Sequence, residues 1–142
     1  MSDNQNRIFA STEGNAWFTR NKPDIELFDA ETDFPLRLMK LYGLRPNRVL
    51  EVGASNGFRL AEIADRYGAE VVAVESSKMA VLDGKTAFPS VNFIRGDATA
   101  IPLRDSYDLV IVNATFHWID REQLMSTMAA IDSLLSDGGF LI

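Results

Sequence analysis

The chain has 142 residues, 46% of them apolar, which suits one domain whose core needs no covalent staple. It has no cysteine and a single histidine, which excludes disulfides, zinc–thiolate and iron–sulfur centres, a cysteine nucleophile and any multi-histidine metal cage. Its 20 acidic and 14 basic residues give a net charge of -6, the reverse of the basic face a nucleic-acid binder presents to phosphates. No apolar run reaches the ~20 residues of a membrane helix, and the N-terminus lacks a signal-peptide core. A cytoplasmic domain without a nucleic-acid or membrane partner is expected.

The first ~30 residues read as polar and irregular around one aromatic pair, Trp17 and Phe18. Periodicity starts after Asp33: Phe34, Leu38, Leu41 and Tyr42 share one helix face, and Gly43 and Pro46 close the segment. The apolar run Arg48–Val52 predicts a buried strand, and Gly53 to Gly57 a tight loop. Leu60, Ile63, Ala64 and Tyr67 form a helical stripe that stops at Gly68. A second strand over 70–74 ends at Glu75, and a helix from about Met79 to Ala87 follows, capped by Ser76 or Ser77. The third strand covers 91–95 and stops at Gly96 and Asp97; the fourth covers 107–113, with a core apolar enough for burial on both faces. Asp120 and Gln123 have the spacing of a capping box, and Leu124, Met128, Ile131 and Leu135 continue as a helical stripe. Asp137, Gly138 and Gly139 predict a turn, after which Phe140–Ile142 starts a fifth strand.

Strands alternating with helices predict an α/β fold with a doubly wound parallel sheet, whose ligand site lies beyond the carboxyl ends of the strands. Each of those ends here carries a glycine or a polar group. Gly53 and Gly57 let a backbone approach a ligand closely, with Ser55 between them. Glu75, 18 residues after Gly57, suits a ribose diol, and Asp97 an adenine amino group. Asn113 to Trp118 place polar and aromatic groups at the mouth of the sheet. Singly, each has a plainer explanation: a turn glycine, a solvated helix start at Glu75, an Asp97 that bonds its own backbone. Four in sheet order point to a nucleoside site. Three residues separate Gly53 from Gly57, so neither the dinucleotide fingerprint nor a P-loop is present. Glu51 just before the loop disfavours pyrophosphate and suits a ligand with a cationic end.

VLEVGASNG (49–57), VVAVESS (71–77), IRGDATAIPL (94–103), YDLVIVNATFHWI (107–119) and LLSDGGFLI (134–142) together resemble the motifs of class I S-adenosylmethionine-dependent methyltransferases. The resemblance covers about residues 34–142 and implies a Rossmann-like sheet of order 3-2-1-4-5. It implies S-adenosyl-L-methionine as cofactor, with Glu51 at its amino end, Gly53, Ser55 and Gly57 in the loop, and Glu75 with Ser76 at the ribose. Asp97 and Ala98 would hold the adenine, and Asn113 would lie near the methyl donor. His117 is the candidate catalytic base, facing a small-molecule acceptor with Trp118; no metal is implied. Ser55 departs from the family's usual glycine. The family's sheet has seven strands, so strands 6 and 7 are missing and an incomplete chain is expected. A homodimer through the strand 5 side would cover the exposed edge.

The expected organisation is a lid-like segment over 1–30, using Trp17, Phe18 and Arg20, and a cofactor-binding domain over 31–142. Similar aromatic-Arg-Asn segments in relatives hint at bacterial sugar or secondary metabolism. Two rival functions are a cofactor-binding module without turnover and a nicotinamide-dependent oxidoreductase; the glycine spacing disfavours the second.

Overall fold

Five parallel strands carry the fold, described here from a computed structural model covering residues 5–142: β1 (Arg48–Val52), β2 (Glu70–Glu75), β3 (Asn92–Arg95), β4 (Tyr107–Ile111) and β5 (Leu135–Leu141). Their order is 3-2-1-4-5, the doubly wound arrangement expected. β1 lies at the centre, with Leu50 opposite Val72 of β2 and Val110 of β4. Alternation along the strands sends Leu50, Val52, Val72, Val74 and Val110 to one face, and Val49, Val71, Ala73, Leu109 and Ile111 to the other. β1, β2 and β4 are buried on both faces, which is why they read as continuous apolar runs.

Helices α4 (Phe58–Tyr67) and α5 (Lys78–Ala87) follow β1 and β2 at the expected places. Gly68 ends α4 with φ 66°, and the Ser77 hydroxyl caps α5 by accepting from the Ala80 amide. Helix α3 (Phe34–Leu41) also exists, yet its buried face differs from the one periodicity suggested. Pro35, Leu36 and Met39 face the core, whereas Phe34, Leu41 and Tyr42 are 64%, 75% and 71% exposed. A two-turn helix so rich in apolar residues offers two stripes. Asp33, capping it through the Leu36 amide and bound to Arg59, fixes which one turns inward.

The N-terminal segment is helical rather than irregular. It comprises α1 (Gln5–Ile8), a π-helical stretch Phe9–Glu13 and α2 (Gly14–Glu26). Weak amphipathicity hid it; tertiary contacts hold it, as they do most helices. Phe18 is buried, Asn15 accepts from the Ser77 hydroxyl, and Lys22 pairs with Asp83 of α5 at 2.6 Å.

The last helix, α6 (Arg121–Asp132), stops three residues before Leu135, which starts β5, and Met128 faces solvent. The expected capping box does not close, because Asp120 makes no side-chain cap bond. The Gln123 side chain instead accepts from the Asn6 amide group, and Asp120 from the Gln5 backbone. The Asp137–Gly139 turn lies within β5 as a bulge, where register slips between Tyr107 opposite Leu135 and Leu109 opposite Phe140. No helix among the described residues is long and apolar enough to cross a membrane.

Candidate cofactor site

At the carboxyl end of the sheet, the loop after β1 turns sharply at Gly53, whose φ is 78°. The Gly53 amide donates to the Val74 carbonyl at 2.8 Å, which lays the loop over the end of β2. A Cβ on Gly53 would sit 2.1 Å from the Thr115 hydroxyl, so only glycine fits. That hydroxyl donates to the Val52 carbonyl at 3.1 Å and so draws the loop after β4 against the loop after β1. Ser55 holds φ 53°, a left-handed conformation unusual for a side-chain-bearing residue.

Glu75 explains how Ser55 is kept there. Its carboxylate accepts from the Ser55 amide at 2.8 Å and from the Ser77 amide at 2.7 Å. Burial pushes Glu75 above the usual carboxylate range, against the pull of the Ser77 and Ser55 amides. Asp97 accepts from the amide and hydroxyl of Thr99 at 2.8 and 2.9 Å, so it bonds its own backbone and faces the cleft as well.

A narrow cleft of about 50 Å³ opens at this end of the sheet. Gly53, Ser76, Asp97 and Ala98 contribute its wall from the ends of β1, β2 and β3. Thr115 and Trp118 close it after β4, and Asn6 and Phe9 cover it from the N-terminal segment. Phe9 packs on Trp118 with ring centroids 4.6 Å apart and planes tilted by 41°, while Asn6 accepts from the Asp120 amide at 3.0 Å. Trp17 and Arg20 do not line this cleft; Arg20 is exposed and pairs with Glu13.

Behind the loop, Glu51 is 1% exposed and ion-paired with Arg59, which also grips Asp33 at 2.7 Å. Glu51 is pushed up to about 7, chiefly by burial and also by the Asp33 and Glu75 charges, against the pull of Arg59. Glu51 Oε2 at the end of β1 and the Ser55 hydroxyl in the loop after it are buried with no hydrogen-bond partner.

The family model described as "Methyltransferase domain" matches residues 49–139. The chain belongs to that family. This methyltransferase domain is 23% identical over 141 residues to an uncharacterised methyltransferase of Alkaliphilus oremlandii, covering 96% of the chain and 65% of the relative. It is 40% identical over 73 residues to a demethylmenaquinone methyltransferase of Beutenbergia cavernae, covering 50% of the chain and 30% of that protein. The chain therefore spans about a third to two thirds of the length of these relatives. Among solved structures, the S-adenosylmethionine-bound amino pentose methyltransferase of Micromonospora echinaspora superposes with a TM-score of 0.65. It is 22% identical, and the match covers 74% of this chain and 44% of that one.

Of the expected site residues in this methyltransferase domain, Gly53, Ser76, Asp97 and Ala98 meet in the cleft. Ser55 and Glu75 support it from behind, and Gly57, with φ 78°, begins α4 against Phe93. Asn113 is half-buried after β4, with its carbonyl accepting from the Thr115 hydroxyl. His117 is exposed, beside the Trp118 ring at 5.1 Å and off the cleft wall. Sequence reasoning missed Asn6, Phe9, Arg59 and Asp33. The only available signal was the S/D-type cap at Asp33, since an arginine in a first helical turn ordinarily reads as solvated.

Proposed function

We propose that the chain binds S-adenosylmethionine in this cleft and transfers its methyl group to a small-molecule acceptor. The observation that carries the reading is the tie between the loops after β1 and β2, made by Glu75 through the Ser55 and Ser77 amides. It holds an acidic group, three left-handed loop residues and a helix start around one cleft. The residues fit the cofactor: Gly53 leaves no room for a side chain, and Glu51 keeps an unpartnered buried oxygen for a cationic group.

Bound there, the cofactor would supply a methyl on a sulfonium already activated for displacement. Glu51 attracts the amino end, Gly53, Ser55 and Gly57 shape the loop beside it, and Glu75 with Ser76 receives the ribose hydroxyls. Asp97 and the Ala98 backbone hold the adenine. Asn113 borders the transfer point, and His117 with Trp118 faces the acceptor, His117 taking its proton where the nucleophile carries one. The rest of the task is alignment and exclusion of water. Of the lid-like segment 1–30 over the domain 31–142, residues 1–4 lie outside the described residues, and Asn6 and Phe9 act as the lid. A sugar or secondary-metabolism acceptor is supported by the amino pentose methyltransferase of similar fold, and a small-molecule acceptor by the demethylmenaquinone relative.

Calorimetric titration with S-adenosylhomocysteine and with NAD tests the reading. Binding of the first alone is expected, and Asp97→Ala should weaken it; binding of NAD alone would overturn the assignment.

A further inference from the structure

Four charged groups meet on the α3–α4 side of β1. Arg59 of α4 bonds Asp33 through Nε at 2.9 Å and through Nη2 at 2.7 Å, and bonds Glu51 of β1 through Nη1. The side chains of Arg59, Asp33 and Glu51 are 8%, 8% and 1% exposed. Glu75, at the end of β2, adds a third carboxylate whose charge reaches Glu51. One guanidinium thus stands against three carboxylates, two of which it touches. A buried cluster with an excess of like charge is stable only if a proton or another cation joins it. Glu51 Oε2, buried and unpartnered, is the atom with capacity to receive one.

We infer that Arg59 is a positioning residue that keeps Glu51 as a carboxylate for the cationic amino end of the cofactor, and that Asp33, by sharing the guanidinium, sets the pH at which it does so. This rests on the reading that the cleft takes S-adenosylmethionine. Arg59 touches no ligand in this role; it acts through Glu51. The guanidinium fork divides its donors two to one in favour of Asp33, so neutralising Asp33 leaves more of its field for Glu51. With burial raising Glu51 and Arg59 as the largest opposing influence, Glu51 stands at about 7. The balance therefore sits in the neutral range, where small changes in partner charge decide protonation. An ion pair that only stabilised the fold would affect every adenosyl ligand alike.

Calorimetry between about pH 5.5 and 8.5 separates these roles, using two probes. One is S-adenosylhomocysteine; the other is its deaminated analogue, which keeps the carboxylate but lacks the ammonium group. In the unaltered chain, affinity for S-adenosylhomocysteine should rise with pH through the neutral range, with no matching rise for the analogue. Arg59→Met should move the midpoint upward and weaken S-adenosylhomocysteine about 10–100-fold at pH 7, the scale of a charge-assisted bond, while sparing the analogue. Arg59→Lys should restore most of the affinity. Asp33→Asn should move the midpoint downward, and Asn still accepts from the Leu36 amide, so α3 keeps its cap. Glu51→Gln should abolish the rise. Should Arg59→Met fail to fold by circular dichroism, Asp33→Asn decides the matter. An unmoved midpoint there, or equal losses for both probes in the arginine variant, overturns the inference. Failure of the unaltered chain to bind either probe would instead refute the cofactor reading itself.

Discussion

Glu75 reaches across from the end of β2 to accept the Ser55 amide at 2.8 Å, fixing a left-handed serine in the loop after β1. One carboxylate therefore ties the loop after β1 to the start of α5 and stabilises the loop conformation beside the cleft; the proposed reading adds the ribose hydroxyls to its partners. Glu75→Ala should weaken S-adenosylhomocysteine by about 1.5–3 kcal/mol, the range for hydrogen bonds to a charged group. Glu75→Gln should lose less, since an amide oxygen can still accept from one backbone donor. Calorimetric affinities of the two variants check this; equal binding by the alanine variant and the unaltered chain would remove Glu75 from the ribose.

The buried acids also set how stability varies with pH. Glu51 and Glu75 both titrate above the ordinary carboxylate range in the folded chain, chiefly because burial disfavours their charge. A raised folded-state value means stability that is fully present below the unfolded value and is lost as pH rises through the folded one. For Glu51 that window runs from 4.5 to about 7, and the loss should be roughly 1–3 kcal/mol. Glu51→Gln should flatten this decline and leave the chain at least as stable at pH 8. Urea denaturation at several pH values measures it, and an unchanged slope in the variant would contradict the account.

Much of this was readable in the sequence, for physical reasons that differ by element. β1, β2 and β4 are buried on both faces, so their apolar runs announced themselves, and glycines bounded the loops. α3 could not be oriented, because the ion pair of Asp33 with Arg59 is a contact 26 residues apart that no local period encodes. The capping box failed likewise: Asn6, 114 residues away, takes the Asp120 amide and draws the Gln123 side chain to itself. At Asp97 the plain reading holds, since it caps a 3-10 turn, and the same residue lines the cleft.

Gly53 offers a steric test. Its φ of 78° and the 2.1 Å between a built Cβ and the Thr115 hydroxyl mean that Gly53→Ala carries both backbone strain and a clash. A loss of about 2–4 kcal/mol in stability is expected, together with loss of ligand binding. Adding Thr115→Ala removes the clash but not the strain, so the double variant should recover part of the loss. A double-mutant cycle by thermal or urea unfolding reads the coupling, and strict additivity would show that the loops after β1 and β4 do not press on each other.

The N-terminal cover should act on ligand exchange. Asn6 and Phe9 close the cleft through bonds to the α6 start and a ring contact with Trp118. Asn6→Ala or Phe9→Ala should speed S-adenosylhomocysteine dissociation about 5–50-fold, from the ~1 kcal/mol per hydrogen bond and ~0.5–1.5 kcal/mol per aromatic pair released. Association should be unchanged or faster. Trp118 on the cleft wall gives a fluorescence signal for stopped-flow measurement, and dissociation rates matching the unaltered chain would show that residues 5–13 are not the lid.

β5 carries a consequence for self-association. Among the described residues it pairs only with β4, and Phe140 and Leu141 are 51% and 46% exposed along it. An unpaired strand edge with apolar side chains is a template for a second strand. The chain should dimerise through this side, burying both residues against their copies. Leu141→Lys places a charge at the edge and should shift the population to monomer while leaving S-adenosylhomocysteine affinity intact, because the edge lies away from the cleft wall. Sedimentation equilibrium over a wide concentration range distinguishes the outcomes: a single monomeric species at every concentration for the unaltered chain, or a dimer indifferent to Leu141→Lys, would place the contact elsewhere or remove it.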